Sequence, residues 1–226
     1  MPISVPDTIT IDGPAGAGKS TLGERLARRL GYLYFDTGVM YRAVTWAALL
    51  RAIDPGDAAS MAALARDLDI DLRPPGVADG RQYTVLVDGQ DATWDLRRPE
   101  VDRQVSLAAS HPAVREILRA RQRAIGLRGR VVMVGRDIGA IVLPEARLKI
   151  YLEASLAARA ARRAAELQTR GEKIDLAAIQ ADLARRDALD RHVMAAAPDA
   201  LVLSNDALSL DQEIEAIMEH LAGQAA

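Results

Sequence analysis

Gly13-Pro14-Ala15-Gly16-Ala17-Gly18-Lys19-Ser20 carries the spacing G-x-x-x-x-G-K-[ST]. In that pattern glycines let backbone N–H groups converge on an anion, the lysine reaches the β- and γ-phosphates, and the hydroxyl sits on Mg²⁺. Context supports the letters. Thr8-Ile9-Thr10-Ile11 reads as a buried strand, and Leu22, Leu26 and Leu30 recur at helical spacing after the loop. Strand, loop and helix start form the unit the chemistry needs, with the positive end of the helix dipole facing the phosphates. The same residues could form a plain flexible Gly/Ala turn, but motif and context agree on a bound nucleoside triphosphate.

Phosphoryl transfer asks a protein to align two anions and cancel their charge. Candidate cations therefore belong near strand ends or on a mobile cover. Arg42 follows Asp36-Thr37-Gly38 beside Tyr41, and Arg136 follows the apolar run Val131–Val134 within Gly135-Arg136-Asp137. A charged pair directly after a buried strand points to function. Asp36 reads equally as a helix N-cap, and Tyr41 as ordinary packing. Segment 159–191 interleaves Arg159, Arg162, Arg163, Arg170, Lys173, Arg185, Arg186 and Arg191 with Glu166, Glu172, Asp175, Asp182, Asp187 and Asp190. By charge alone this segment reads as a solvated helical hairpin laced with ion pairs.

Those residues need elements to hold them. The pattern predicts strands near 7–12, 32–36, 130–134, 148–152 and 200–203. Helices are predicted to 30 and over 39–51, from after Asp54-Pro55-Gly56-Asp57 to 68, and over 98–109, 112–127, 155–168, 176–189 and 210–222. Residues 70–96 change character. Asp71–Gly76 and Asp79-Gly80 read as turns, and Tyr83–Val87 as a strand. Asp88-Gly89 reads as a hairpin returning through Asp91–Trp94. The expected fold is α/β, a three-layer P-loop architecture with a five-stranded parallel sheet, helices on both faces, a small antiparallel insert and a short helical lid. Ligands of such sheets bind at the carboxyl ends of the strands. That rule singles out Gly13–Ser20, Asp36–Gly38, Gly135–Asp137 and Ser204-Asn205-Asp206.

Composition narrows the classes. The chain has 226 residues, 27% charged, with net charge −2. A general nucleic-acid binder would carry a basic excess. There is no cysteine, and His111, His192 and His220 are scattered, so no thiolate or histidine metal centre is expected. No apolar run approaches the ~20 residues of a membrane span, and no secretory leader is visible. A cytoplasmic monomer without membrane or nucleic-acid partners is the expectation. The N-K-x-D and D-x-x-G motifs of P-loop GTPases are absent, which leaves a kinase of a small molecule as the simplest class.

The motifs then carry a resemblance. Ile9–Thr21, Asp36-Thr37-Gly38-Val39-Met40-Tyr41-Arg42 and Gly135-Arg136-Asp137-Ile138-Gly139 resemble bacterial cytidylate kinases. So do Val87–Asp91, Arg97–Val101, Val114–Glu116 through Arg121–Arg123, and Arg186–Asp190. The resemblance covers nearly the whole chain in order. It implies transfer of the ATP γ-phosphoryl group to CMP or dCMP. Gly13, Pro14, Ala15, Gly16, Ala17, Gly18, Lys19, Ser20 and Thr21 would bind ATP, with Ser20 on Mg²⁺. Thr37, Arg115 and Asp137 would contact cytosine beside Tyr41, while Arg42 and Arg136 would hold the CMP phosphate. Ser106, Arg186 and Asp190 would serve sugar and lid contacts. Lys19, Arg42, Arg136 and Arg186 would be the catalytic cations. It also implies a core of 1–36, 107–154 and 192–226, a monophosphate-binding domain of 37–106 and a lid of 155–191. In one departure, Val193 stands where the family has an arginine three residues beyond the aspartate matching Asp190, so that either Arg191 substitutes for it or the lid runs one turn differently. Two other readings fit the loop: the same fold acting on another acceptor, which the 70–96 insert disfavours, and an ATP-dependent binding module without turnover, which the intact cations disfavour.

Overall fold

The computed structural model describes residues 5–169, 171, 174–191, 194–206 and 208–223. The five-stranded sheet is built from β1 (Thr8–Asp12), β2 (Leu33–Asp36), β6 (Val131–Val134), β7 (Leu148–Glu153) and β8 (Leu201–Ser204), in the order β2-β6-β1-β7-β8. β1 pairs in parallel with β7, Ile9 opposite Leu148 and Asp12 opposite Tyr151, and β7 pairs in parallel with β8. β1, β6 and β7 are short and nearly continuously apolar because they are buried on both faces, whereas β8 leaves Val202 exposed. Ile9, Ile11, Val132, Met133 and Leu152 are fully buried.

The chain divides into two compact units, residues 1–32 with 132–226, and residues 33–131. In the first unit α1 (Lys19–Leu30) packs against α8 (Leu210–Gly223), and α6 (Leu156–Thr169) against α7 (Leu176–Asp190). Asp175 caps α7 by accepting from the Ala178 N–H at 3.0 Å. A single π-helical turn, 138–142, sits between β6 and β7 and packs on β1. Periodicity gave no sign of it.

The second unit holds α2 (Gly38–Leu50), α3 (Ala58–Asp67), α4 (Pro99–Ser110) and α5 (Pro112–Gly126). α2 buries most of its circumference, including Val39, Met40, Val44 and Trp46, because α3 and α4 both pack on it. Pro99 and Pro112 open their helices, where a missing N–H costs nothing. The insert is a three-stranded antiparallel sheet, β3 (Ile70–Arg73), β4 (Thr84–Val87) and β5 (Gln90–Asp91). Asp88 and Gly89 turn the predicted hairpin with φ of 50° and 80°. One reading is corrected. Residues 71–73, expected as part of a turn, form β3, because Ile70 and Leu72 pair with Val87 and Val85 and share their apolar face. The proline pair that suggested a turn only ends the strand. Arg81, its side chain only 7% exposed, ties the insert together through Asp79 and Asp91, each at 2.6 Å, and Trp94 Nε1 donates to Asp79 at 2.8 Å.

Gly139 shows how tightly the π-turn lies on the sheet. A Cβ there would stand 2.7 Å from Thr10 Oγ1 and 3.1 Å from Lys149 Cγ. Gly139→Ala should therefore cost roughly 1–3 kcal/mol in urea unfolding. Gly76→Ala, whose Cβ would meet only Thr84 Oγ1 at 4.0 Å, is the control expected to leave the midpoint unchanged.

Candidate active site

The phosphate loop lies between β1 and α1, as its spacing requires. Gly13 has φ 145°, and a Cβ would stand 2.3 Å from the Leu152 carbonyl oxygen. Gly18 is left-handed at φ 96°, and its Cβ would stand 2.4 Å from Asn205 Nδ2. A side chain at either position would be strained by the backbone conformation, and at Gly13 also by the Leu152 carbonyl. Lys19 and Ser20 open α1, so the first-turn N–H groups of that helix face the loop's concavity. Lys19 Nζ donates to the Pro14 carbonyl at 2.7 Å, which holds the ammonium over the loop.

The loop's carbonyls are tied by residues from two other segments. Arg159 on α6 donates to the Ala15 carbonyl at 3.0 Å and pairs with Asp187 on α7 at 3.1 and 2.6 Å. Asn205, just past β8, donates to the Ala17 carbonyl at 2.9 Å and accepts from Arg162. Arg159 thus departs from the solvated hairpin that its charge pattern suggested: it is only 5% exposed. The exposed pairs Arg163–Glu166 and Arg185–Asp182 keep to that reading. A cavity of about 350 Å³ opens beside the loop, lined by Pro14, Tyr151, Glu153, Ala154, Ser155, Ser204 and Asp206.

In the same unit, Gly135-Arg136-Asp137 leaves β6 beside the loop. Asp137 is buried, and Arg136 pairs with Asp190 at the end of α7. Arg186, one turn earlier on α7, faces Asp182 at 2.9 Å. Arg191 follows α7 and is exposed. Val193, the departing position, lies outside the described residues.

The remaining expected residues fall in the second unit. Thr37 is buried at the N-cap of α2, and the Gly38 N–H donates to Asp36 at 3.0 Å, so Asp36 does stabilise that helix start. Arg42 donates to Asp102 at 2.5 Å and to the Leu96 carbonyl at 3.1 Å. The Arg115 guanidinium lies 6.0 Å from the centre of the Tyr41 ring. Ser106 is half-buried on α4, one turn beyond Asp102. The sequence places Asn205 only past a strand end and Arg159 only within a charged hairpin, and it gives Asp102 no role. Asn205 carried a signal, as the first polar residue past a parallel strand. Asp102 and Arg159 carried only charge.

A cytidylate kinase family model matches residues 9–223. The chain belongs to that family. A cytidylate kinase of Roseiflexus castenholzii is 62% identical over 97% of this chain and 95% of its own length. One of Chloroflexus aggregans is 59% identical over 95% and 93%. Among solved structures, a gluconokinase from Sinorhizobium meliloti 1021 aligns at TM-score 0.49 and 15% identity, over 97% of this chain and 94% of that one.

Two buried carboxyls in the core of this cytidylate kinase family member titrate unusually. Burial raises Asp12 to about 6, opposed by two backbone N–H groups and Lys19 and reinforced by Asp137. Burial raises Glu213 on α8 to about 7, with Arg162 opposing. Both acids bind a proton more tightly folded than unfolded. Their protonation therefore favours the fold at low pH, and that contribution is lost as pH rises through the folded pKa. Glu213→Gln should flatten the dependence of the urea midpoint between pH 5 and pH 8. Its gain at pH 8 should be on the order of 2 kcal/mol. A midpoint of the variant that still falls as steeply as the parent's between pH 6.5 and 8 would refute the assignment.

Proposed function

We propose that the protein transfers the γ-phosphoryl group of ATP to CMP and dCMP, giving CDP or dCDP with ADP. The observation that carries this reading is the placement of Arg136-Asp137 beside a complete phosphate loop, in a chain of the cytidylate kinase family. In this assignment Gly13–Thr21 cradle the ATP phosphates, and the cavity beside Pro14 takes the donor's nucleoside. Thr37, Arg115 and Asp137 read cytosine, with Tyr41 supporting the Arg115 guanidinium. Arg42 and Arg136 hold the acceptor phosphate, Ser106 and Asp190 serve the sugar, and Arg186 contributes charge from the lid. The lid is 155–191 and the monophosphate-binding domain 37–106. The core is 1–36, 107–154 and 192–226. The protein acts as a cytoplasmic monomer.

Mg²⁺ fits this site. Magnesium usually keeps one or two protein ligands and takes the rest from phosphates and water, and Ser20 stands exposed in the first turn of α1 beside the cradle. When bound, the ion supplies charge neutralisation at the β- and γ-oxygens. The acceptor phosphate is already an oxyanion. Its oxygen forms the new bond to the γ-phosphorus as the bond to the β–γ bridging oxygen breaks, and ADP leaves. No proton need be removed, so no general base is required. Lys19, Arg42, Arg136 and Arg186 act by alignment and charge stabilisation. Specificity follows from hydrogen bonding: a carboxylate accepts from the exocyclic amine of cytosine, where uracil presents an acceptor.

ADP release measured with CMP, dCMP, UMP and AMP in turn tests the substrate. The expected order puts CMP and dCMP well ahead, and turnover of AMP or UMP with CMP and dCMP inactive would refute it. Lys19→Ala should lower kcat by about a hundredfold or more while leaving KM for CMP nearly unchanged. A loss confined to KM would place Lys19 in ground-state binding only. Nucleotide binding without ADP release from any acceptor would instead support a binding module.

A further inference from the structure

The segment after β6 is fastened to β1 at three points. The Gly135 N–H donates to the Ile11 carbonyl at 3.0 Å. The Ile138 N–H donates to Asp12 Oδ1 at 2.8 Å, and the Gly139 N–H to Asp12 Oδ2 at 2.7 Å. Arg136 and Asp137 are the two residues that lie between the first fastening and the other two. With anchors that close on both sides, their backbone has little freedom. Asp12 is also the last residue of β1, and Gly13, the first of the phosphate loop, follows it directly.

A carboxylate is an expensive choice for this position. Asp12 is only 5% exposed, and Asp137 nearby repels its charge. Packing alone would be served by an apolar residue. What a carboxylate offers is two acceptor oxygens in one plane, matched to two successive backbone donors.

We propose that Asp12 is a positioning residue for phosphoryl transfer, fixing Arg136 and Asp137 in register with the loop that holds the donor phosphates. This rests on the assignment above of Arg136 to the acceptor phosphate and Asp137 to the cytosine amine. Asp12 touches neither substrate. It acts through the Ile138 and Gly139 N–H groups, so its removal should blur the aim of Asp137 at the base as well as slow the reaction. An asparagine has the same shape but one acceptor. Its amide N–H₂ would meet one of the two backbone donors, and the turn carrying Asp137 would shift to relieve that contact.

The test is steady-state kinetics of the full chain and its Asp12→Asn and Asp12→Ser variants, with CMP and UMP at saturating ATP, then with ATP varied. Thermal unfolding is followed on the same samples. The expected result for Asp12→Asn is a fall in kcat/KM for CMP of about a hundredfold. The CMP-over-UMP ratio should fall about tenfold and KM for ATP should stay within about twofold. Asp12→Ser, which keeps one acceptor, should fall between. A purely structural role would lower stability and active fraction and leave the ratio where it was, and an unchanged ratio overturns the proposal. Asp137→Asn run in parallel separates the two claims. If it leaves the ratio intact, the reading of Asp137 as the base reader fails. If it collapses the ratio and Asp12→Asn does not, only the role of Asp12 fails. Should neither Asp12 variant fold, amide hydrogen exchange of the unsubstituted protein decides. Ile138 and Gly139 should exchange as slowly as β1, and exchange at the rate of exposed loops overturns the proposal.

Discussion

A loop that turns its N–H groups inward toward an anion must turn its carbonyls outward, and buried carbonyls need donors. That constraint organises the first unit around the end of β1. The Ala15 carbonyl is met by Arg159 and the Ala17 carbonyl by Asn205. These two residues come from α6 and from the segment past β8, so the cradle is held by chain far away in sequence. The same crowding sets the glycines. Gly13 lies against the Leu152 carbonyl and Gly18 against Asn205. Their spacing answers to neighbouring protein segments as much as to phosphate.

The cations show a second regularity. Arg42 faces Asp102, Arg136 faces Asp190, Arg159 faces Asp187 and Arg186 faces Asp182. Partly exposed pairs of this kind add little to stability. Each aspartate instead orients a long, flexible guanidinium; under the proposed assignment of Arg42, Arg136 and Arg186, less side-chain freedom would be lost when a phosphate binds. Because such a pair is weak in water, sharing the guanidinium with a phosphate costs little. Arg159 is the exception. Its side chain is only 6% exposed, and it joins the phosphate loop to α7, so its role is to hold the loop.

Local pattern carried much of this architecture. Parallel strands announced themselves as short apolar runs, and Asp-Gly at 88–89 and the proline at 112 marked a turn and a helix start as their backbone chemistry demands. The phosphate loop was legible because its motif is contiguous. β3 was not, because its strand character comes from pairing with β4 and its own residues include Asp71, Arg73 and the Pro74-Pro75 stop. The π-turn at 138–142 was not, because it is set by Asp12, 126 residues away from Ile138. Arg159 and Asp102 were invisible for the same reason. A charge on a helix face reads as solvated until the tertiary partner that buries or pairs it is known.

Asp12 and Glu213 then pose one question with two answers. Burial raises both, and both weaken the fold when ionised. Asp12 spends its two oxygens on two backbone donors of the segment that carries Arg136 and Asp137. Among the described residues Glu213 Oε1 has no hydrogen-bond partner, and its electrostatic neighbour is Arg162, the residue that donates to Asn205 behind the phosphate loop. A sequence selected for stability alone would replace both by apolar residues of similar volume. Under the proposed assignment, Asp12 stands one contact and Glu213 three contacts behind a segment held in a fixed place when two nucleotides meet. The fold gives up stability at those two points, and both points lie behind groups assigned to aligning donor and acceptor phosphates.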